Sequence, residues 1–183
     1  MNRLSLAAGL AFAGIAGSAQ ASVLTIGGGY AKSCYEAADD QMIARKGLDA
    51  CNRALSEEAL APRDRVATHV NRGIVFLRRG SLAEADADFD AALTLDPRQA
   101  EAWLNKAILD VRYRNSADAL PLVQKALENG TRQPALAYFV RGVANEDSGN
   151  IAAAYQDLQR ARKLDPKWAE PEIELRRYQV RQP

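Results

Sequence analysis

Shifted against itself by 34 to 35 residues, the sequence repeats, and that period constrains its fold more than any other feature. Gly73, Ala107 and Gly142 fall into register, as do Ala85, Ala119 and Ala154. Phe89, Val123 and Leu158 follow, then Ala92, Ala126 and Ala161. The first and third units close alike, Leu95-Asp96-Pro97 against Leu164-Asp165-Pro166, and each has a glycine at its midpoint, Gly80 or Gly149. A unit of this length with a break in the middle is two helices that cannot bury their apolar faces alone, so successive units must stack. Composition agrees: 35 of the 183 residues are Ala, with 12 Gly and 7 Pro, and Ala is the best helix former. The expected class is all-α, an α-solenoid of helix-turn-helix repeats.

Small residues recur because they set the distance between axes. Gly73 and Ala85 lie about equally far from the Gly80-Ser81 turn, so they are expected to face each other across an antiparallel pair, with Phe89 and Leu93 filling the seam beside them. Pro97 and Pro166 stand where one unit's second helix must stop, since proline lacks the amide hydrogen and clashes with the preceding turn.

These positions resemble the tetratricopeptide repeat: an aromatic, a small residue four later, then Ala, a large apolar, Ala and Pro at fixed offsets. Residues 62–99 carry the pattern as Gly73, Phe76, Ala85, Phe89, Ala92 and Pro97, with His69 at the usual aromatic site. Residues 100–134 carry it as Trp103, Ala107, Ala119 and Ala126, departing at Asp110, at Val123 and by one extra residue near Asn129-Gly130. Residues 135–168 carry it as Tyr138, Gly142, Ala154, Leu158, Ala161 and Pro166. The resemblance implies a right-handed superhelix. Residues 31–61 read as a degenerate pair, with Gly47, Cys51 and Ala54 mimicking Ala85, Phe89 and Ala92. Residues 169–183 read as a capping helix in which Arg176 stands where a second helix would need a small residue, free to reach solvent.

The first 21 residues read as an export signal. Arg3 precedes a continuous apolar run from Leu4 to Ala16, and Ala19-Gln20-Ala21 is a small-x-small cleavage site. The run is shorter than the roughly 20 residues a membrane span requires. Cleavage after Ala21 removes Arg3 and leaves 23 basic residues against 23 acidic, formally neutral, with nothing to draw the chain to nucleic acid or an anionic membrane. The expectation is a periplasmic protein with no membrane insertion after cleavage. Residues 22–30, with Gly27 to Gly29, then form a flexible arm.

In an oxidising compartment two cysteines suggest one crosslink. If the degenerate pair turns near Met42-Ile43, Cys34 and Cys51 stand at equal height, and a bond between them closes a loop worth roughly 3 kcal/mol on the chain-entropy estimate. Two buried thiols are the alternative. No CxxC supports a redox role.

The resemblance also implies where a partner would bind, because first helices of tetratricopeptide units line a concave groove. The inward stripe is expected to be Val70, Ile74, Leu77 and Arg78, then Leu104, Ile108, Val111 and Arg112, then Leu136, Phe139, Val143, Glu146 and Asp147. An apolar stripe suits an amphipathic helix or an apolar extended peptide; the bland reading is internal packing, or coverage by the chain's own Val23 to Ile26. Relatives that clamp a peptide carboxylate use Lys, Asn and Arg here. Asn71 and Asn105 match, but Val70, Ile74, Glu101 and Leu136 stand where basic or amide groups are wanted, so the asparagines are assigned to hydrogen bonds within or between repeats. Catalysis has little material: His69 is the only imidazole and sits at a packing position. Asp86, Asp88 and Asp90 alternate along a helix and diverge, which suits no metal. No cofactor and no metal are expected. The chain reads as a non-enzymatic interaction module of the bacterial envelope for a protein or peptide partner. The alternative is an accessory subunit of an envelope machine that docks by its convex face or its arm.

Overall fold

The computed structural model describes residues 3–6, 21–24, 29–40, 44–112 and 116–181. Among them run α1 (Tyr30–Asp39), α2 (Ala44–Glu57), α3 (Pro62–Arg79), α4 (Leu82–Leu95), α5 (Ala100–Arg112), α6 (Ser116–Glu128), α7 (Pro134–Asp147), α8 (Ile151–Leu164) and α9 (Glu170–Leu175). One two-stranded ribbon joins β1 (Arg3–Leu6) to β2 (Tyr178–Arg181), antiparallel, with Leu4 opposite Val180. The fold is all-α: α1/α2, α3/α4, α5/α6 and α7/α8 are hairpins, and each first helix packs on a neighbouring hairpin. The turn near Met42-Ile43 and residues 7–20 and 25–28 lie outside the described residues.

The turns explain the punctuation of the sequence. Gly80, Gly130 and Gly149 have φ of 77°, 75° and 79°, left-handed values that a Cβ disfavours. Each follows a helix and closes the same pair of bonds. Gly80 N–H donates to Leu77 O at 3.1 Å and Ser81 N–H to Phe76 O at 3.0 Å, the Schellman arrangement that satisfies the last carbonyls. Gly130 adds such a turn at the end of α6, which accounts for the extra residue there. The two Leu-Asp-Pro endings use another device: Asp96 Oδ1 accepts from Arg98 N–H at 3.0 Å and Asp165 Oδ1 from Lys167 N–H at 3.1 Å, local bonds that turn the chain into the next unit.

The small-residue seam is as narrow as the sequence demands, with one adjustment. Built on Gly73, a Cβ would lie 2.4 Å from Phe89 Cε1, so the side chain nearest this glycine is Phe89 rather than Ala85. On Gly47 it would lie 1.9 Å from Ala37 Cβ, and on Gly142 3.1 Å from Leu158 Cγ. Cys34 and Cys51, both fully buried, are joined across α1 and α2 with Cα atoms 4.7 Å apart.

Charge also crosses two of the hairpins, α3/α4 and α7/α8. Arg72 grips Asp88 with Nε and Nη2 at 2.7 and 2.8 Å. One pair of units later Arg141 grips Asp157 in the same way at 2.9 and 2.8 Å. His69 Nδ1 lies 2.9 Å from Asp88 Oδ1, so the imidazole at the aromatic position joins an ion pair instead of only filling space. Asp86 and Asp90 both accept from Lys106 of the next unit. Burial opposes the Lys106 charge, but these two bonds outweigh it and raise the ammonium pKa. All three alternating carboxylates are thus held by cations.

The expected capping helix over 169–183 is shorter. α9 ends at Leu175, because Arg177 reaches Glu174 and Glu146 while the Tyr178 hydroxyl donates to Glu146. Those contacts pull the chain out of the helix and across the end of α7. Burial, then the neighbouring Glu146 carboxylate, push the Tyr178 phenol far above its ordinary pKa. Arg176, as expected, is largely exposed, 3.7 Å from Glu172.

Candidate functional site: an asparagine-lined groove

The inward stripe exists, but it is not open. Val70, Ile74, Leu77, Leu104, Ile108, Val111, Leu136 and Phe139 are buried, and Val143 is half-buried. They belong to one apolar cluster that also contains Ala21 and Val23. Within residues 22–30, read from sequence as a flexible arm, the segment around Val23 is therefore an ordered strand-like chain lying against α3 and α5. Its alternation is that of extended backbone: Ala21 and Val23 are buried, Ser22 is half-buried and Leu24 is 50% exposed.

The segment is held by the two asparagines. Val23 N–H donates to Asn71 Oδ1 at 2.8 Å, and Asn71 Nδ2 donates to Val23 O at 2.7 Å. One unit further on, at the same repeat position, Asn105 Nδ2 donates to Ala21 O at 3.1 Å and to Glu101 O of its own helix at 2.8 Å. Both side chains are fully buried, and Asn105 Oδ1 has no hydrogen-bond partner. The sequence places these amides correctly but assigns them to bonds within or between repeats. Asn71 spends both of its groups on the segment, which lies 48 residues away in the chain; only the recurrence of Asn at one register could have hinted at this.

Arg78 and Arg112 close the stripe at its far end. Arg78 Nη1 donates to Ala37 O at 3.1 Å and Arg112 Nη1 to Leu77 O at 3.3 Å. Each guanidinium thus sits at the last turn of the preceding unit's first helix, where free carbonyls favour a cation. Burial lowers the pKa of both, countered at Arg78 by Asp39 and Asp40. These arginines are structural caps as they stand. At the other end, Ser22 and Val23 border an open cavity of about 730 Å³ whose rim includes Arg63, Leu95, Arg98 and Arg132. Leu95 is 52% exposed there. Among the described residues no group of His, Cys, Asp and Glu could hold a metal ion, and no helix is long and apolar enough to cross a membrane.

Comparison with known proteins agrees with this geometry. The sequence profile described as "Tetratricopeptide repeat" matches residues 70–109 and 106–167. Tetratricopeptide repeat protein 16 of Homo sapiens is 28% identical over 163 residues, 86% of this chain, and this chain spans 18% of that relative's length. MamA of Desulfovibrio magneticus RS-1, from its residue 41 onward, superposes with a TM-score of 0.62 at 21% identity, over 81% of this chain and 82% of its own. PilW, a type IV pilus biogenesis factor, superposes with a TM-score of 0.65 at 16% identity, over 80% and 67%. At these identities the structures share the fold.

Proposed function

Because the chain belongs to the tetratricopeptide repeat family, whose fold serves protein–protein interaction, we propose that it is an exported, non-enzymatic module that holds an extended segment of a partner protein in its concave groove. One observation carries this reading. The groove already contains an extended segment, and Val23, which stays after cleavage at Ala21, is held through its main chain by Asn71. The cavity beside Val23 gives a second chain room to enter.

Export rests on the apolar leader and on the Cys34–Cys51 pair, which suits an oxidising compartment. Intact mass of the protein recovered from its host tests it: a chain starting at Ser22 is expected, and a retained leader overturns it. Such processing removes Ala21, and with it the carbonyl that Asn105 holds.

A substitution such as Leu104→Asp is a poor test of the groove, since Leu104 is fully buried and the fold would fail first. A photo-reactive residue at Leu95, on the cavity rim, is better. Its repeat counterpart Leu164, 50% exposed and outside that cavity, is the control. Adducts from Leu95 and none from Leu164 are expected. The filled groove also supports a second reading, an accessory subunit of an envelope machine that docks by its convex face or its arm; an absence of adducts at Leu95 would favour it.

A further inference from the structure

We propose that Arg63, Arg98 and Arg132 form a ladder of cations for an acidic, extended segment of a partner protein, whose side-chain carboxylates sit on the arginines while an apolar residue between them enters the cavity beside Val23. This rests on the groove being the partner site, and it names the chemistry of what enters there.

The ladder follows the repeat. The three arginines recur at the 34-to-35-residue period, at or just before the start of α3, α5 and α7, and all three border the same cavity of about 730 Å³. Each is exposed, and among the described residues none of the three guanidiniums makes a hydrogen bond, an ion pair or a ring contact. Cations elsewhere in the hairpins are already engaged: Arg72 by Asp88, Lys106 by Asp86 and Asp90, Arg141 by Asp157. Two carboxylates also line the cavity, but each is committed to backbone. Asp96 accepts from Arg98 N–H at 3.0 Å, and Glu101 accepts from Arg132 N–H at 2.9 Å. With Arg65 on the same wall, four guanidiniums face two carboxylates. Like charges gathered in this way repel, and an anionic partner relieves them.

Length and lining select an acidic peptide over a compact anion. First helices of neighbouring units pack with axes about 8–10 Å apart, so a ladder over three units is longer than any single phosphate or carboxylate. An extended chain advances about 3.3 Å per residue and brings acids two to four places apart onto successive rungs, where the planar guanidinium fork can bond a carboxylate twice. The wall between the rungs is apolar: Val23 and Val66 are buried and Leu95 is half-exposed. The site stands outside the register at which relatives clamp a terminal carboxylate, where this chain has Val70, Ile74 and Leu136. All of the residues that form it follow Ala21, so cleavage there leaves it intact.

The test titrates the protein, as its host makes it, with capped Ser-Glu-Val-Glu-Leu-Glu-Ser in a calorimeter; the caps remove any terminal carboxylate. A Kd below about a millimolar is expected, rising with salt, and no binding when Gln replaces each Glu. Arg63→Gln, Arg98→Gln and Arg132→Gln, exposed changes checked by circular dichroism, should each weaken binding about threefold and together by more than tenfold. Lys167→Gln, at the same register in the next unit but outside this cavity, should leave it unchanged. No binding of the Glu peptide at millimolar concentration overturns the proposal, as does unaltered affinity in the triple variant. Inorganic triphosphate or phosphatidylglycerol vesicles that bind as tightly through the same arginines also overturn it, since the ladder would then read charge alone. In cells the triple variant should lose its Leu95 adducts. Adducts that persist there sink this inference alone; their absence from the unsubstituted protein sinks the groove reading itself.

Discussion

Single side chains decide where this scaffold is comfortable and where it is strained. Asp110 stands where the first unit has Phe76. Burial raises its carboxyl pKa; Lys106 pulls it back, and Asp118 and Asp86 push it up again. A carboxyl raised in the folded state binds its proton more readily there than in the unfolded chain, so stability falls as pH rises through that window. Asp110→Asn should therefore raise the melting temperature at neutral pH, and the gain should vanish once pH falls below the ordinary carboxylate value. Thermal melts of the two proteins from pH 3 to pH 8 read this directly, and a constant offset would contradict it. Asp157 is held by its partners: it is buried, gripped twice by Arg141, and accepts from Asn145 Nδ2 at 3.2 Å. Removing it with Asp157→Ala leaves a half-buried guanidinium without its partner and should cost about 2 kcal/mol in denaturant unfolding. Neither pair was legible beforehand, because Arg72 and Asp88 lie 16 residues apart on different helices, and charge patterning reveals only neighbours on one helix.

Between elements the controlling quantity is the approach of helix axes, and this was the legible part. Gly73, Gly142, Ala85 and Ala154 could be identified from sequence because a close approach tolerates few residue types. What lies opposite could not, since it depends on side-chain direction: Gly73 meets Phe89. The tail was misread for the same kind of reason. Its helix stops at Leu175 because Glu146 on α7 recruits Arg177 and Tyr178, a tertiary contact that no local pattern announces. The glycines should respond to an added methyl in order of their clearance. Gly47→Ala sets two Cβ atoms 1.9 Å apart on neighbouring backbones, which only separation of α1 from α2 can relieve. Gly73→Ala presses on a ring that can shift slightly, and overpacking of this sort costs about 2 kcal/mol. At Gly142 the contact with Leu158 is 3.1 Å, and the helix-propensity gain of about 1 kcal/mol for alanine should roughly cancel the crowding. Urea unfolding of the three variants should rank them Gly47, Gly73, Gly142 from most to least destabilised. Equal losses would mean that the seam is looser than its geometry.

Across the whole molecule, each hairpin touches chiefly its neighbours, so stability should be distributed along the chain, with disturbances fading with distance. The disulfide sits in the first hairpin, which packs on α3. Crosslinking a loop of 17 residues stabilises by roughly 3 kcal/mol in the chain-entropy estimate, and that stabilisation belongs mainly to α1 and α2. At the opposite end α7 and α8 are secured by Arg141–Asp157 and covered by Leu175 and Tyr178, none of which touches the cysteines. Reduction should therefore loosen the molecule from one end. Hydrogen exchange before and after reduction is expected to accelerate by about two orders of magnitude in α1 and α2. Val23 should follow partway, because Asn71 lies on α3, beside the loosened pair, and α7 and α8 should keep their protection. Uniform acceleration over all helices would instead identify a single cooperative unit, in which the groove could not yield its own segment without unfolding the rest.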